Sequence, residues 1–156
     1  MKRVWAYSRV STYKQLFSLE SQQKFLENYC RQQKLFLHDI KSDIASGSFP
    51  ERLYNLRLIL DKIEPREVLL VRDVSRLGRD VYKVNDILEE LHLKNSEVYS
   101  ILDNVSSLEP EFLKRIEFAE TELKINKERQ RQRNLISQRQ GTVIKINGIP
   151  KLFKLS

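Results

Sequence analysis

Residues 67–71 read Glu-Val-Leu-Leu-Val, with four large apolar side chains in a row. A strand with one wet face alternates polar and apolar residues, so an unbroken run of this length predicts a strand covered on both faces, as in parallel sheets sandwiched between helices. Helical patterns flank it on either side. From about Arg52 to Ile63 the apolar positions Leu53, Leu56, Ile59, Leu60 and Ile63 recur at helical spacing, and after the run Val81, Val84, Ile87, Leu88 and Leu91 do the same. Further out, Val4 to Val10 and Leu35 to Ile40 read as strands. Between them Leu19 to Gln33 reads as a helix, with Phe25, Leu26, Tyr29 and Cys30 on one face and Ser18 as its N-cap. Val98 to Leu102 supplies a fourth strand. Strands alternating with helices predict an α/β fold: a mainly parallel sheet of four to five strands flanked by helices.

Beyond Asp103 the pattern changes. Pro110 suits a first helical turn, and neither Gly nor Pro recurs before Gly141, which permits one helix of roughly 30 residues. Phe112, Ile116, Ala119 and Leu123 form a narrow apolar seam, which predicts a dimer contact, with docking on the chain's own sheet as the alternative. The expected organisation is an α/β domain over 1–107, a long basic helix over 108–141, and a tail over 142–156. The helix would supply the dimer contact first and then track DNA.

Charge supports that division. The 156 residues carry a net charge of +7, and from Lys124 onward there are nine lysines and arginines against one acid, Glu128, so the preceding chain is close to neutral. A basic tail on a neutral body suits a nucleic-acid partner. Arg129, Arg131, Arg133, Arg139, Lys145 and Lys151 are the expected backbone-contacting residues. No apolar run approaches the ~20 residues of a membrane span. The single Cys30 allows no internal disulfide, and the basic, then apolar N-terminus lacks a signal peptide's cleavage site; both place the expected location in the cytoplasm.

In a parallel sheet, ligands bind outside the carboxyl ends of the strands. That edge is expected to gather Arg9, Ser11 and Gln15 after the first strand and Asp43, Ser46 and Arg52 after the second. After the third it gathers Arg72, Asp73, Ser75, Arg76 and Arg79. Arg76 and Arg79 are three apart at a helix start and can share a face. Clustered guanidiniums repel and cannot shed their charge, so an anion is the natural occupant, and a phosphate suits their paired donors. Ser11 becomes the candidate nucleophile, although a serine after a strand is ordinarily a cap or turn residue. His38 and His92 lie within or beside predicted elements, which argues against a Ser-His-Asp triad, and no Cys/His metal spacing or GxxxxGK[ST] occurs.

Taken in order, YSRVST (7–12), LESQ (19–22), DIASG (43–47) with Arg52, and SRLGRD (75–80) resemble the catalytic domain of the serine recombinases, the resolvase/invertase family. FAETE (118–122) and Arg129 extend the likeness into the long helix. The resemblance implies that Ser11 attacks a DNA phosphodiester, giving a 5′-phosphoserine link and a free 3′-hydroxyl, without cofactor or metal. It implies site-specific recombination of double-stranded DNA (integration, inversion, resolution or transposition) by homodimers that pair into a synaptic tetramer. Arg9, Arg76 and Arg79 match the phosphate-binding arginines. Asp43 and Arg52 match second-loop active-site residues, and Gln15 and Gln22 match active-site glutamines.

Two departures from the family pattern stand out. Many members have Asp immediately before the first arginine of RLGR, where this chain has Ser75; Asp73, two residues earlier, resembles a DxSR variant and leaves the proton acceptor unassigned. Ser75 also motivates an alternative, a catalytically weak DNA-binding or dimerisation module. The run NGIPKLFK near the C-terminus resembles the family's minor-groove arm, or else forms a hairpin about Asn147-Gly148. No complete helix-turn-helix is expected within 142–156.

Overall fold

The computed structural model describes residues 2–141, 144–146 and 149–151. Its main sheet contains β1 (Arg3–Val10), β2 (Phe36–Ile44), β3 (Val68–Val71), β4 (Glu97–Ser100) and β5 (Val105–Ser106), in the order β2-β1-β3-β4-β5. The first four strands run parallel; β5 pairs antiparallel with β4. The crossovers are α1 (Leu16–Gln32), α2 (Tyr54–Lys62) and α3 (Val81–Leu93).

Strand alternation separates the core into two layers. Val4, Ala6, Val68 and Leu70 pack with Leu26 and Cys30 of α1. The intervening residues Trp5, Tyr7, Leu69 and Val71 join the apolar stripes of α2 and α3 on the other face. Right-handed crossovers explain the split: the path from β1 to β2 and the paths from β2 to β3 to β4 run in opposite directions across the sheet, so their helices lie on opposite faces. The reversal makes β1 and β3 diverge at their carboxyl ends, which is the crevice where such sheets bind ligands.

Several boundaries differ from the sequence reading. β2 runs on through Lys41, Ser42 and Asp43 to Ile44, so Asp43 lies within the strand rather than in the loop after it. Polar residues disguised this extension, and they are satisfied across the sheet: Ser8 and Ser42 share a hydroxyl hydrogen bond of 2.6 Å, and the Tyr7 hydroxyl donates to Asp43. α1 starts at Leu16 with Gln15 at its N-cap position, not at Leu19 behind Ser18, because Tyr13–Gln15 forms a 3-10 turn leading into it. The segment predicted as one helix from Arg52 divides into a 3-10 turn at Pro50–Arg52, Leu53, and then α2.

After β5, α4 extends from Glu111 to Gly141. Phe112 and Ile116 are fully buried in the core beside α2 and α3, so the first half of the seam docks on the chain's own α/β body rather than forming a dimer contact. Burying a side chain of this size stabilises by about 2 kcal/mol. The chain divides into two compact units within α4, one ending at Ala119 and the other beginning at Glu120. The second contains the remainder of α4 with exposed Arg129, Arg131, Arg133 and Arg139, and an antiparallel pair, β6 (Ile144–Ile146) with β7 (Ile149–Lys151). Lys145 and Lys151 belong to this pair; their side chains, and Asn147-Gly148 of the proposed turn, lie outside the described residues. No helix among the described residues is long and apolar enough to cross a membrane.

Candidate active site

Arg9 organises the carboxyl edge of the sheet. It is the penultimate residue of β1 and only 2% exposed, and its guanidinium reaches into both neighbouring loops. Nε donates to the Arg76 carbonyl at 3.1 Å, Nη1 to Ala45 at 3.0 Å and Nη2 to Ser75 at 2.8 Å. Its backbone is bracketed by buried Gln22, whose Oε1 accepts from the Arg9 N–H at 3.3 Å and whose Nε2 donates to the Arg9 carbonyl at 3.2 Å. Arg76 Nη1 donates to the same carbonyl at 2.7 Å. Arg9 therefore ties the loops after β1, β2 and β3 together.

Burial lowers the Arg9 pKa from its ordinary value, and the positive charges of Arg76 and Arg79 push in the same direction while Asp73 opposes them. An arginine keeps its charge regardless. Among these charges, Arg76 and Arg79 oppose that of Arg9 and Asp73 favours it.

Ser11 lies just past β1, exposed. Gln15 shapes its loop: Oε1 accepts from the N–H groups of Ser11 at 3.0 Å and Thr12 at 3.2 Å. Asp73 does comparable work in the third loop. It sits at the N-cap of a 3-10 turn, Val74–Arg76; Oδ1 accepts from the Ser75 N–H and hydroxyl, and Oδ2 accepts from Arg76 Nε at 3.0 Å. Arg76 thus has a carboxylate partner, Asp73, although Ser75 stands immediately before it.

Arg76 and Arg79 do not share a helix face as the sequence reading had it. Arg76 ends the 3-10 turn, Gly78 follows at φ 142°, and α3 begins only after Asp80, whose carboxylate caps it. Both arginines converge on Arg9 nonetheless. Gly78 meets Gly47 back to back: a Cβ on Gly47 would lie 2.8 Å from Arg9 Nη2 and 3.2 Å from Gly78 Cα, and one on Gly78 would lie 3.1 Å from the Gly47 carbonyl. The space that Gly78 leaves is filled by this other loop. Arg72 turns away, over the Phe25 ring at 5.9 Å. Arg52 is exposed in its 3-10 turn, its Cζ 4.7 Å from the centre of the Phe49 ring.

Asp43 is buried and fully engaged. Oδ2 accepts from the Tyr7 hydroxyl at 2.8 Å and from Leu56 N–H at 3.0 Å, and Oδ1 accepts from Asn55 N–H at 3.0 Å. It caps α2, placing negative charge at the positive helix end. Burial raises the Tyr7 hydroxyl pKa, and the Asp43 charge raises it further, so Tyr7 stays a neutral donor. Asp43→Asn, which replaces one acceptor oxygen by an amide, is expected to cost about 2 kcal/mol in urea unfolding. A change within 0.5 kcal/mol, on the order of a neutral surface substitution, would contradict this role. Tyr7, Asn55 and Phe49 have no assigned role in the sequence reading; only the extended β2, which aligns Arg9 with Asp43, brings the first two into view.

Residues 4–143 match the family model described as the resolvase N-terminal domain. The chain belongs to the resolvase family. The transposon Tn3 resolvase of Escherichia coli is 33% identical over 106 residues, covering 67% of this chain and 53% of that protein. The R46 site-specific recombinase of Escherichia coli is 35% identical over 106 residues, covering 67% and 52%. This resolvase-family chain spans about half the length of the curated relatives it matches. Among solved structures, the C-terminal catalytic domain of ISC1926 TnpA, an IS607-like serine recombinase, superposes with a TM-score of 0.56 at 25% identity, covering 63% of this chain and 68% of that one. The N-terminal catalytic domain of TP901-1 integrase shares the fold, with a TM-score of 0.59 at 23% identity over 81% of this chain and 98% of that one.

Proposed function

We propose that this chain carries out the cleavage and rejoining chemistry of site-specific DNA recombination, with Ser11 as nucleophile. The observation that carries it is the hydrogen bond from Arg76 to the Arg9 carbonyl, which places a guanidinium on the backbone two residues from exposed Ser11. In the proposed step the Ser11 oxygen attacks the phosphorus, an Oγ–P bond forms, and the bond from phosphorus to the 3′-oxygen breaks. Ser11 gives up its hydroxyl proton as it attacks and the 3′-oxygen takes up one proton as it leaves as a hydroxyl, so the step is balanced in protons. Attack by another strand's 3′-hydroxyl reverses the exchange, and no bond energy is lost to water.

Arg76, Arg79 and Arg52 are assigned to the phosphate, where paired N–H donors stabilise charge building on the non-bridging oxygens. Arg9, Gln22, Gln15, Asp73 and Ser75 hold those groups in place, and Asp43 anchors α2 beside them. No cofactor or metal enters this scheme. The direct contact from Asp73 to Arg76 removes the motive for a catalytically silent module, since Ser75 does not leave the arginine without an acid. We assign residues 1–107 to catalysis, 108–141, beyond the docked Phe112 and Ile116, to subunit contact and DNA tracking, and 142–156 to an arm on DNA. The working assemblies are a DNA-bound homodimer and a synaptic tetramer, in the cytoplasm.

The test is free of any assumption about the target site. The chain is incubated with randomised duplex DNA, the DNA is digested with nuclease, and mass spectrometry locates the residue that retains a nucleotide. A nucleotide on Ser11 supports the reading; one on another residue, or none under conditions where DNA is bound, overturns it. For the tail, replacing Arg129, Arg131, Arg133 and Arg139 by glutamine is expected to flatten the dependence of log Kd on log salt by about 0.9 for each phosphate that is no longer neutralised. An unchanged slope would remove α4 from the DNA interface.

A further inference from the structure

We propose that Phe49 and Lys83 form a clamp that positions Arg52, holding its guanidinium by the flat face so that its N–H edges stay open for a phosphate. The proposal rests on the reading of Arg52 as a phosphate-binding residue. Among the described residues the Arg52 side chain has no hydrogen bond and no ion pair; what it meets is the Phe49 ring, 4.7 Å from Cζ to centroid. Phe49 is 43% exposed, so its ring lies at the surface where Arg52 also lies.

The choice of partner matters chemically. A carboxylate would hold Arg52 through the same in-plane N–H groups that a phosphate needs. An aromatic ring attracts the cation through its face and leaves all five donors unused. Arg52 is thereby restricted in orientation before substrate arrives, at no cost in binding capacity.

Lys83 fixes the ring. Its Nζ donates to the Ser48 carbonyl at 3.0 Å and lies 5.9 Å from the Phe49 centroid. Its own backbone N–H is held by the Asp80 carboxylate at 3.2 Å, in the cap that ends the SRLGRD loop. A line of contacts thus runs from Asp80 through Lys83 to Phe49 and Arg52, so the arginine of the second loop is set in register with those of the third. The Arg9 tie and the Gly47–Gly78 contact fix the backbones of the same two loops; the clamp extends that coupling to a side chain.

Two measurements on the full chain test this. Arginine side-chain NMR, with Arg52 assigned from an Arg52→Lys sample, should show Arg52 resonances displaced by the Phe49 ring current. The displacement should persist in Phe49→Tyr and vanish in Phe49→Leu, which keeps an apolar side chain but has no π face. In single-turnover adduct formation, Phe49→Leu and Lys83→Met should be slower by between about two- and fivefold, with DNA affinity unchanged. Phe49→Tyr should match the unaltered chain, and Phe49→Leu in an Arg52→Lys background should cause no further slowing. Full additivity in that double variant, or Arg52 resonances indifferent to Phe49→Leu, overturns the clamp. If the unaltered chain forms no adduct, the recombinase reading falls, and the ring-current displacement by itself decides whether Phe49 holds Arg52.

Discussion

Ser11→Ala is expected to eliminate the nucleotide-linked protein, lowering adduct formation by a factor on the order of 10⁴ or more, as loss of a covalent nucleophile does. The same variant should bind DNA and unfold like the unaltered chain. The expectation follows from how Ser11 is held: its side chain is exposed, and the loop is shaped through the Ser11 and Thr12 N–H groups on Gln15, which an alanine retains. Separation of chemistry from fold is therefore the signature to look for, measured as adduct yield, DNA affinity and urea midpoint on one preparation. An adduct of undiminished yield from Ser11→Ala would show that another group attacks.

Arg9→Met should behave in the opposite way, damaging fold and chemistry together. Methionine fills much of the volume but leaves the carbonyls of Arg76, Ala45 and Ser75 without the donors that now reach them. Hydrogen bonds from a charged group contribute about 1.5–3 kcal/mol each, and relief from burying the charge offsets part of the loss, so a net destabilisation of about 3 kcal/mol is expected. Adduct formation should fall as well, because Arg76 would no longer be anchored by the tie. Urea unfolding within 0.5 kcal/mol of the unaltered chain, the range of a neutral surface change, would show that the loops hold themselves.

The α/β architecture was legible because apolar periodicity is a direct record of burial. The unbroken run at 68–71 marks a strand covered on both faces, and the stripes of α2 and α3 mark what covers one of them. Periodicity says that a face is buried, however, and not against what; Phe112 and Ile116 carry the same spacing whether they meet a second subunit or their own core. Polar residues inside a strand are similarly opaque, since Ser42 and Asp43 look like loop until Ser8 and Tyr7 are known to lie opposite or alongside them. At the site, the motifs name the candidate residues, but not how they hold one another. Nothing in the sequence indicates that Arg9 donates to three carbonyls of the neighbouring loops. The proposed clamp on Arg52 has no sequence signal, because Phe49 and Lys83 are 34 positions apart and meet only where the loop after β2 lies against the start of α3.

The contact between Gly47 and Gly78 acts as a spacing gauge. Because no side chain separates the two loops there, their distance is set by backbone thickness and by the fixed reach of one guanidinium. The gap therefore does not depend on the size of any side chain at the two glycine positions. A side chain at either glycine would therefore change the width of the site itself, pushing the second loop, the third loop and the Arg9 guanidinium apart.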